Sequence, residues 1–156
     1  MRALRGNTAN PKLKVSVWNA RQLYVGSAMD DSASNEKMRW LKSRLEGETP
    51  DVVFLLEIVG GHDDFTDAKV GLRARMKEAG YTTNWIVGEG GSARERTGTD
   101  SNSNGIVILV RRETARLVKH FRLEERLLGA EVRTTGANPF HFRVAAISPA
   151  SSGALI

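Results

Sequence analysis

Asn19 and Glu57 are the two residues of this sequence whose types and spacing could do chemistry together. Asn19 follows the alternating stretch "LKVSVW", and Glu57 follows the almost wholly apolar run "VVFLL". A carboxylate and an amide oxygen brought to one point make a hard-oxygen site suited to Mg²⁺ or Mn²⁺. Two protein ligands can suffice, because Mg²⁺ keeps several waters and takes a substrate phosphate as well. Such an ion can polarise a phosphodiester, steady the leaving oxygen and lower the pKa of a water. Each residue also has a plain role. A strand-terminal Asn bonds the backbone two residues on as a turn residue, and a Glu after an apolar strand is a solvated strand end. The pair matters only if the fold joins the two strand ends.

The first 57 residues read as the unit that could join them. Residues 13–18 form a strand that Asn19 closes. Residues 35–46 form a helix, with Met38, Leu41 and Leu45 at i, i+3 and i+7, Ser34 or Asn35 to cap it and Gly47 to end it. Residues 52–57 read as a strand covered on both faces, closed by Glu57. A right-handed crossover makes such strands parallel and sets both C-terminal ends at one sheet edge. Neighbouring strands lie about 4.8 Å apart, close enough for Asn19 and Glu57 to converge.

A second helix is expected over residues 64–79. Phe65, Ala68, Leu72, Met76 and Ala79 form its stripe, and Gly80 its C-terminal cap. Residues 81–87 and 106–110 read as strands around a long exposed loop, 88–105. The last third reads as antiparallel β over 116–121, 127–134 and 140–148, with "TTGANP" as a turn. Residues 1–11 read as a disordered basic leader, 25–34 as a loop, and 12–153 as one partial domain.

The chain has 156 residues, 40% apolar and 26% charged, which is ordinary for one soluble domain. No apolar run approaches the roughly 20 residues of a membrane helix. The start "MRALRGNTANPK" has no apolar core of a signal peptide, so an intracellular setting, nuclear or cytoplasmic, is expected ahead of secretion. With no cysteine, disulfides and thiolate metal sites are excluded. The net charge of +5 is uneven. Arg2, Arg5, Lys12, Lys14 and Arg21 stand at the start without an acid, acids outnumber bases between 30 and 67, and bases prevail thereafter. Basic surface around an acidic patch suits a polyanion substrate and a cation centre; from charge alone, an ordinary solvated surface with a basic tail is the preferred reading. His62, His120 and His141 read as loop and strand surface residues.

"LKVSVWNARQL", "PDVVFLLE" and "SNGIVILVRR", in this order, resemble the endonuclease/exonuclease/phosphatase superfamily, which includes exonuclease III, the apurinic/apyrimidinic endonucleases, DNase I and LINE-type retroelement endonucleases. Its first strand ends in a W-N-x-x-G-L pattern, matched by residues 18–23, and its second in P-D-hydrophobic-L-Q-E, matched by residues 50–57. Its G-V-A-I-L-V strand matches residues 105–110, and its Y-x-P strand end matches residues 146–149. The resemblance covers residues 12–153. It implies an α/β fold: the N-terminal half of a four-layered α/β/β/α sandwich, a mixed sheet with two main helices on one face. Each half is expected to supply one sheet, so half a fold would leave an apolar sheet face uncovered and open to self-association. The resemblance also makes Glu57 the metal-binding glutamate and Asn19 the amide that orients metal and phosphate.

The departures from the pattern are specific. Leu56 replaces the usual glutamine, Arg21 stands where some members have an acid, and Ile147 replaces the phosphate-contacting tyrosine. The G-D-F-N and S-D-H segments, which supply the general-base Asp and the terminal His, do not occur in these 156 residues. The leading expectation is therefore a Mg²⁺- or Mn²⁺-dependent phosphodiesterase or endonuclease half, acting on nucleic acid with DNA ahead of RNA and inactive as this chain alone. The alternatives are a non-catalytic nucleic-acid-binding module and a relative acting on lipid or inositol phosphates.

Overall fold

A computed structural model describes residues 12–24, 32–59, 72–86, 105–124 and 127–147. The elements are β1 (Val15–Tyr24), α1 (Ser32–Glu48), β2 (Val52–Val59), α2 (Leu72–Glu78), β3 (Tyr81–Ile86), β4 (Gly105–Arg111), β5 (Ala115–Glu124), β6 (Leu127–Thr134) and β7 (His141–Ile147). They form two sheets, a four-stranded one in the order β1-β2-β4-β3 and a three-stranded one in the order β5-β6-β7. β1 and β2 are parallel neighbours, as the strand–helix–strand reading requires. Every other pairing is antiparallel. The expected leader (1–11), most of the 25–34 loop, the 88–105 loop and the first turns of the second helix lie outside the described residues.

Strand periodicity divides the interior into two cores. Val53 and Leu55 of β2 and Val107 and Leu109 of β4 point to one face. There they meet Met38, Leu41 and Leu45 of α1 and Leu72 and Met76 of α2, so both helices lie on one face of the mixed sheet. Val52, Phe54 and Leu56 of β2 and Ile106, Ile108 and Val110 of β4 point the other way. They form the second core with Ala115, Leu128, Ala130, Val132 and Ala146 of the three-stranded sheet.

This second core corrects the expectation of an uncovered sheet face. The chain does not stop at one sheet. It crosses from β4 through the turn at 112–114 into β5 and lays its own second sheet over β2 and β4. Among the described residues the same face is less covered at β1, where Val15 is 37% and Val17 47% exposed.

Asp51 ties the start of the fold together. Its Oδ2 accepts the Lys14 backbone N–H at 2.8 Å, and its Oδ1 accepts the Thr114 hydroxyl at 2.6 Å. Its own N–H donates to Lys14 O (2.8 Å), and its carbonyl accepts from Arg111 N–H (2.9 Å). One residue thus joins the approach to β1, the start of β2, the end of β4 and the turn into β5. Beside it the buried Tyr81 hydroxyl donates to Pro50 O at 2.6 Å. Burial pushes the Tyr81 pKa up to about 12, with Arg111 opposing and Asp51 adding to the rise.

Local endings follow backbone chemistry. α1 runs through Gly47 and ends at Thr49, which takes the left-handed conformation (φ 45°) while its N–H bonds Leu45 O. The expected Gly47 stop is therefore two residues early. Gly80 does end α2 as expected, at φ 90°, with its N–H on Lys77 O. Gly129 has no side chain for a steric reason: an added Cβ would lie 2.6 Å from Phe121 Cζ.

Candidate functional site

Asn19 and Glu57 do not close their strands. β1 continues to Tyr24 and β2 to Val59. Both strands instead change register at one level. Asn19 pairs with Leu56, and the next pair is Leu23 with Ile58. On the other side of β2 the shift falls between Leu55 and Ile58. Glu57 is the extra residue of this bulge: Leu56 faces the inter-sheet core, and Ile58, two residues on, joins the helix-side core. Glu57 has φ 58°, one of two non-glycine residues described with positive φ. An L-residue held there costs roughly 1–3 kcal/mol, and such strain gathers at ligand sites. β1 makes a matching irregularity, because Trp18, Ala20 and Leu23 all enter the helix-side core although their spacing breaks the alternation. The structure thus sets an exposed Asn19 and a half-buried Glu57 at one paired bulge on adjacent strands.

Trp18, next to Asn19, anchors this level of β1. Its ring meets Trp40 edge-on at 6.3 Å and 63°, and the Arg44 guanidinium lies 4.4 Å from the Trp18 ring centre and 5.4 Å from that of Trp40. A cation over two indoles holds α1 against the strand. Trp40 and Arg44, with Val17, Asn19, Glu36 and Lys37, help line a cleft of about 570 Å³ beside β1. Glu57 does not line it. Trp40 and Arg44 lie off the Met38, Leu41 and Leu45 stripe, so apolar periodicity does not single them out. Their i, i+4 spacing on the opposite, charged side of the helix was the available signal.

Among the described residues, no three His, Cys, Asp or Glu side chains gather closely enough to hold a metal ion by themselves. The donor set at the bulge is one carboxylate and one amide oxygen, which fits an ion that keeps most of its waters and fits no all-protein cage. His120 and His141 lie exposed on β5 and β7, and His62 lies outside the described residues. On the outer face of the second sheet, Lys119, His141 and Arg143 stand 3.8, 3.6 and 3.9 Å from the single carboxylate of Glu131. No helix among the described residues is long and apolar enough to cross a membrane.

No family model and no curated protein matches the chain. Solved structures do match. The catalytic domain of human Nocturnin, with a bound sulfate anion, aligns at a TM-score of 0.54 and 14% identity, over 92% of this chain and 52% of that one. TDP2 of D. rerio, complexed with a single-strand DNA product, aligns at 0.51 and 19%, over 94% and 50%. An endonuclease/exonuclease/phosphatase protein from Bacteroides vulgatus aligns at 0.49 and 14%, over 80% and 48%. The chain spans about half the length of these structures. Two sheets face to face, with both helices outside one of them, are the fold this chain shares with the Nocturnin catalytic domain and TDP2.

Proposed function

We propose that this chain carries the metal-binding half of a nucleic-acid phosphodiesterase site, with Glu57 and Asn19 as its protein ligands. The observation that carries the reading is the shared register shift, where a strained glutamate and an exposed amide lie at one level of adjacent parallel strands. A bound Mg²⁺ or Mn²⁺ would supply charge to a phosphodiester oxygen and a more acidic water. Glu57 neutralises part of the ion's charge, and Asn19, with no charge of its own, orients the ion and the phosphate without repelling either. The neighbouring structures act as precedent for the substrate class: one holds a DNA product and another a sulfate, a phosphate-like anion.

Hydrolysis also needs a positioned base and donors for the developing charge. These 156 residues supply no G-D-F-N or S-D-H segment for either task. The chain alone therefore binds the ion and cleaves nothing. Mn²⁺ titration followed by electron paramagnetic resonance should show weak binding that Glu57→Gln abolishes, with plasmid and abasic DNA left intact in Mg²⁺. Unchanged Mn²⁺ binding by Glu57→Gln sinks the ligand assignment. Mg²⁺-dependent nicking abolished by Glu57→Ala sinks the inactivity.

A second reading, a non-catalytic nucleic-acid-binding module, has its own support in the second sheet, where Lys119, His141 and Arg143 share the one carboxylate of Glu131. That surface keeps excess positive charge for a phosphate backbone. Steeply salt-dependent DNA binding that EDTA leaves unchanged favours this reading; binding that requires the metal counts against it.

A further inference from the structure

A second polar cavity lies on the β3 side of the four-stranded sheet, far from the bulge. It has a volume of about 490 Å³, and its lining includes Arg73 and Lys77 of α2, Thr82, Thr83 and Asn84 of β3, and Arg112 from the turn after β4. Strand register separates it from Glu57. Thr82 pairs with Val110 and Val110 with Val52, so the cavity stands where β2 begins, two strands over. Val52 is five residues before Glu57, a span of roughly 16 Å along a strand.

Three cations share this cavity. Arg73 and Lys77 are i, i+4 on α2, a spacing at which like charges repel. Arg112 is fixed by its backbone N–H on Gly80 O at 3.0 Å and by one guanidinium nitrogen on Lys77 O at 3.1 Å. Its other guanidinium donors are left for another partner. Among the described residues no carboxylate pairs with any of the three. Glu78, the acid of α2, stands with Lys42 and Arg75 instead. Thr83 adds a buried hydroxyl oxygen with no hydrogen-bond partner among the described residues. A buried polar group left unpaired costs free energy until a partner is supplied.

We propose that this cavity binds a small phosphomonoester, its phosphate held by Arg73, Lys77 and Arg112. Charge selects the class. A phosphomonoester carries about two negative charges near neutral pH, whereas a backbone diester carries one. Three cations without a carboxylate in one cavity favour the dianion. A guanidinium matches phosphate oxygens in geometry, and Lys77 adds a point charge. Thr83, once its hydroxyl turns to the ligand, gains the partner it lacks. The bound anion also relieves the like-charge repulsion along α2, so binding stabilises the fold. The volume suits one small molecule. The inference does not rest on the metal site at the bulge.

Calorimetric titration of the full chain with phenyl phosphate, in EDTA at about pH 8, should show saturable one-to-one binding. Inorganic phosphate should compete for the site. Dimethyl phosphate, a singly charged diester, should bind at least several-fold more weakly. Arg73→Gln and Lys77→Gln should each weaken phenyl phosphate binding roughly tenfold, the loss of one charge-assisted hydrogen bond. Both side chains are exposed, so circular dichroism should report an unchanged fold. Arg133→Gln, which removes an exposed cation from β6, serves as the control and should leave binding intact. Phenyl phosphate should raise the melting temperature of the unaltered chain and not that of the Arg73→Gln, Lys77→Gln double variant. No saturable binding, equal binding of monoester and diester, unchanged affinity in the α2 variants, or an equal loss in Arg133→Gln would each overturn the proposal. So would a dependence on Arg73 and Lys77 seen with single-strand DNA alone, which would make the cavity a backbone contact.

Discussion

Val52 and Phe54 of β2 and Val15 and Val17 of β1 are opposite numbers on one face of one sheet, yet the first pair is wholly buried and the second is 37% and 47% exposed. The residues are alike in type, and all four sit in strands. The difference is position: β2 has β1 on one side, β4 on the other and the second sheet above, whereas β1, among the described residues, has a neighbour on one side only. On its other face β1 is as buried as β2, because α1 covers Trp18 and Ala20. Burial in this fold is therefore set by what lies across from a residue.

The largest test of the comparison is Phe54→Ala, which empties a fully enclosed position and should cost about 3–5 kcal/mol in urea unfolding. Val17→Ala on the same face should cost less than about 1 kcal/mol. Equal losses would break the contrast. The helix-side core offers a pH test. Tyr81 keeps its proton to about pH 12 in the folded chain and to about 10 when unfolded. The contribution of Tyr81 is therefore constant below about pH 10 and is lost as pH rises from about 10 to 12, by roughly 2–3 kcal/mol. Tyr81→Phe should flatten that slope, and a mutant that keeps it would place the titration elsewhere.

Asp51→Ala leaves the Lys14 N–H and the Thr114 hydroxyl without their partner and should cost about 1–2 kcal/mol. The loss should loosen β1 before β2, read as faster amide exchange at the start of β1. The smallest effect sharpens the role of the bulge. Thr49→Gly and Glu57→Gly both relieve positive φ, and each should add about 0.5–1 kcal/mol to stability. Only Glu57→Gly should also abolish Mn²⁺ binding. If neither variant raises the melting temperature, φ strain is not stored at these positions.

Much of this was legible in order and spacing. The apolar run 52–57, the alternation at 13–18 and the Met38, Leu41 and Leu45 stripe each matched one element, and their sequence predicted the parallel pair correctly. The endings were less legible. Asn19 and Glu57 look like strand ends because a polar residue follows an apolar run, but both strands resume after the bulge. A bulge comes from pairing on both sides of β2, and no local pattern reports it. Trp40 was hidden because it lies off the helix stripe, and its partner Trp18 is on another element. Asp51 read as part of a motif, while its structural role needs Lys14, Arg111 and Thr114, which are distant in the chain.

The sequence by itself determined which residues could hold an ion, which segments could bury a face, and that no Asp-Phe-Asn or Ser-Asp-His segment joins them, because residue type and periodicity are local properties. Only the tertiary structure decided that the apolar face of β2 is covered, that β1 is the edge strand of its sheet among the described residues, and that Asn19 and Glu57 share one bulge. Those outcomes depend on strand order and register, which arise when distant segments compete for the same neighbours.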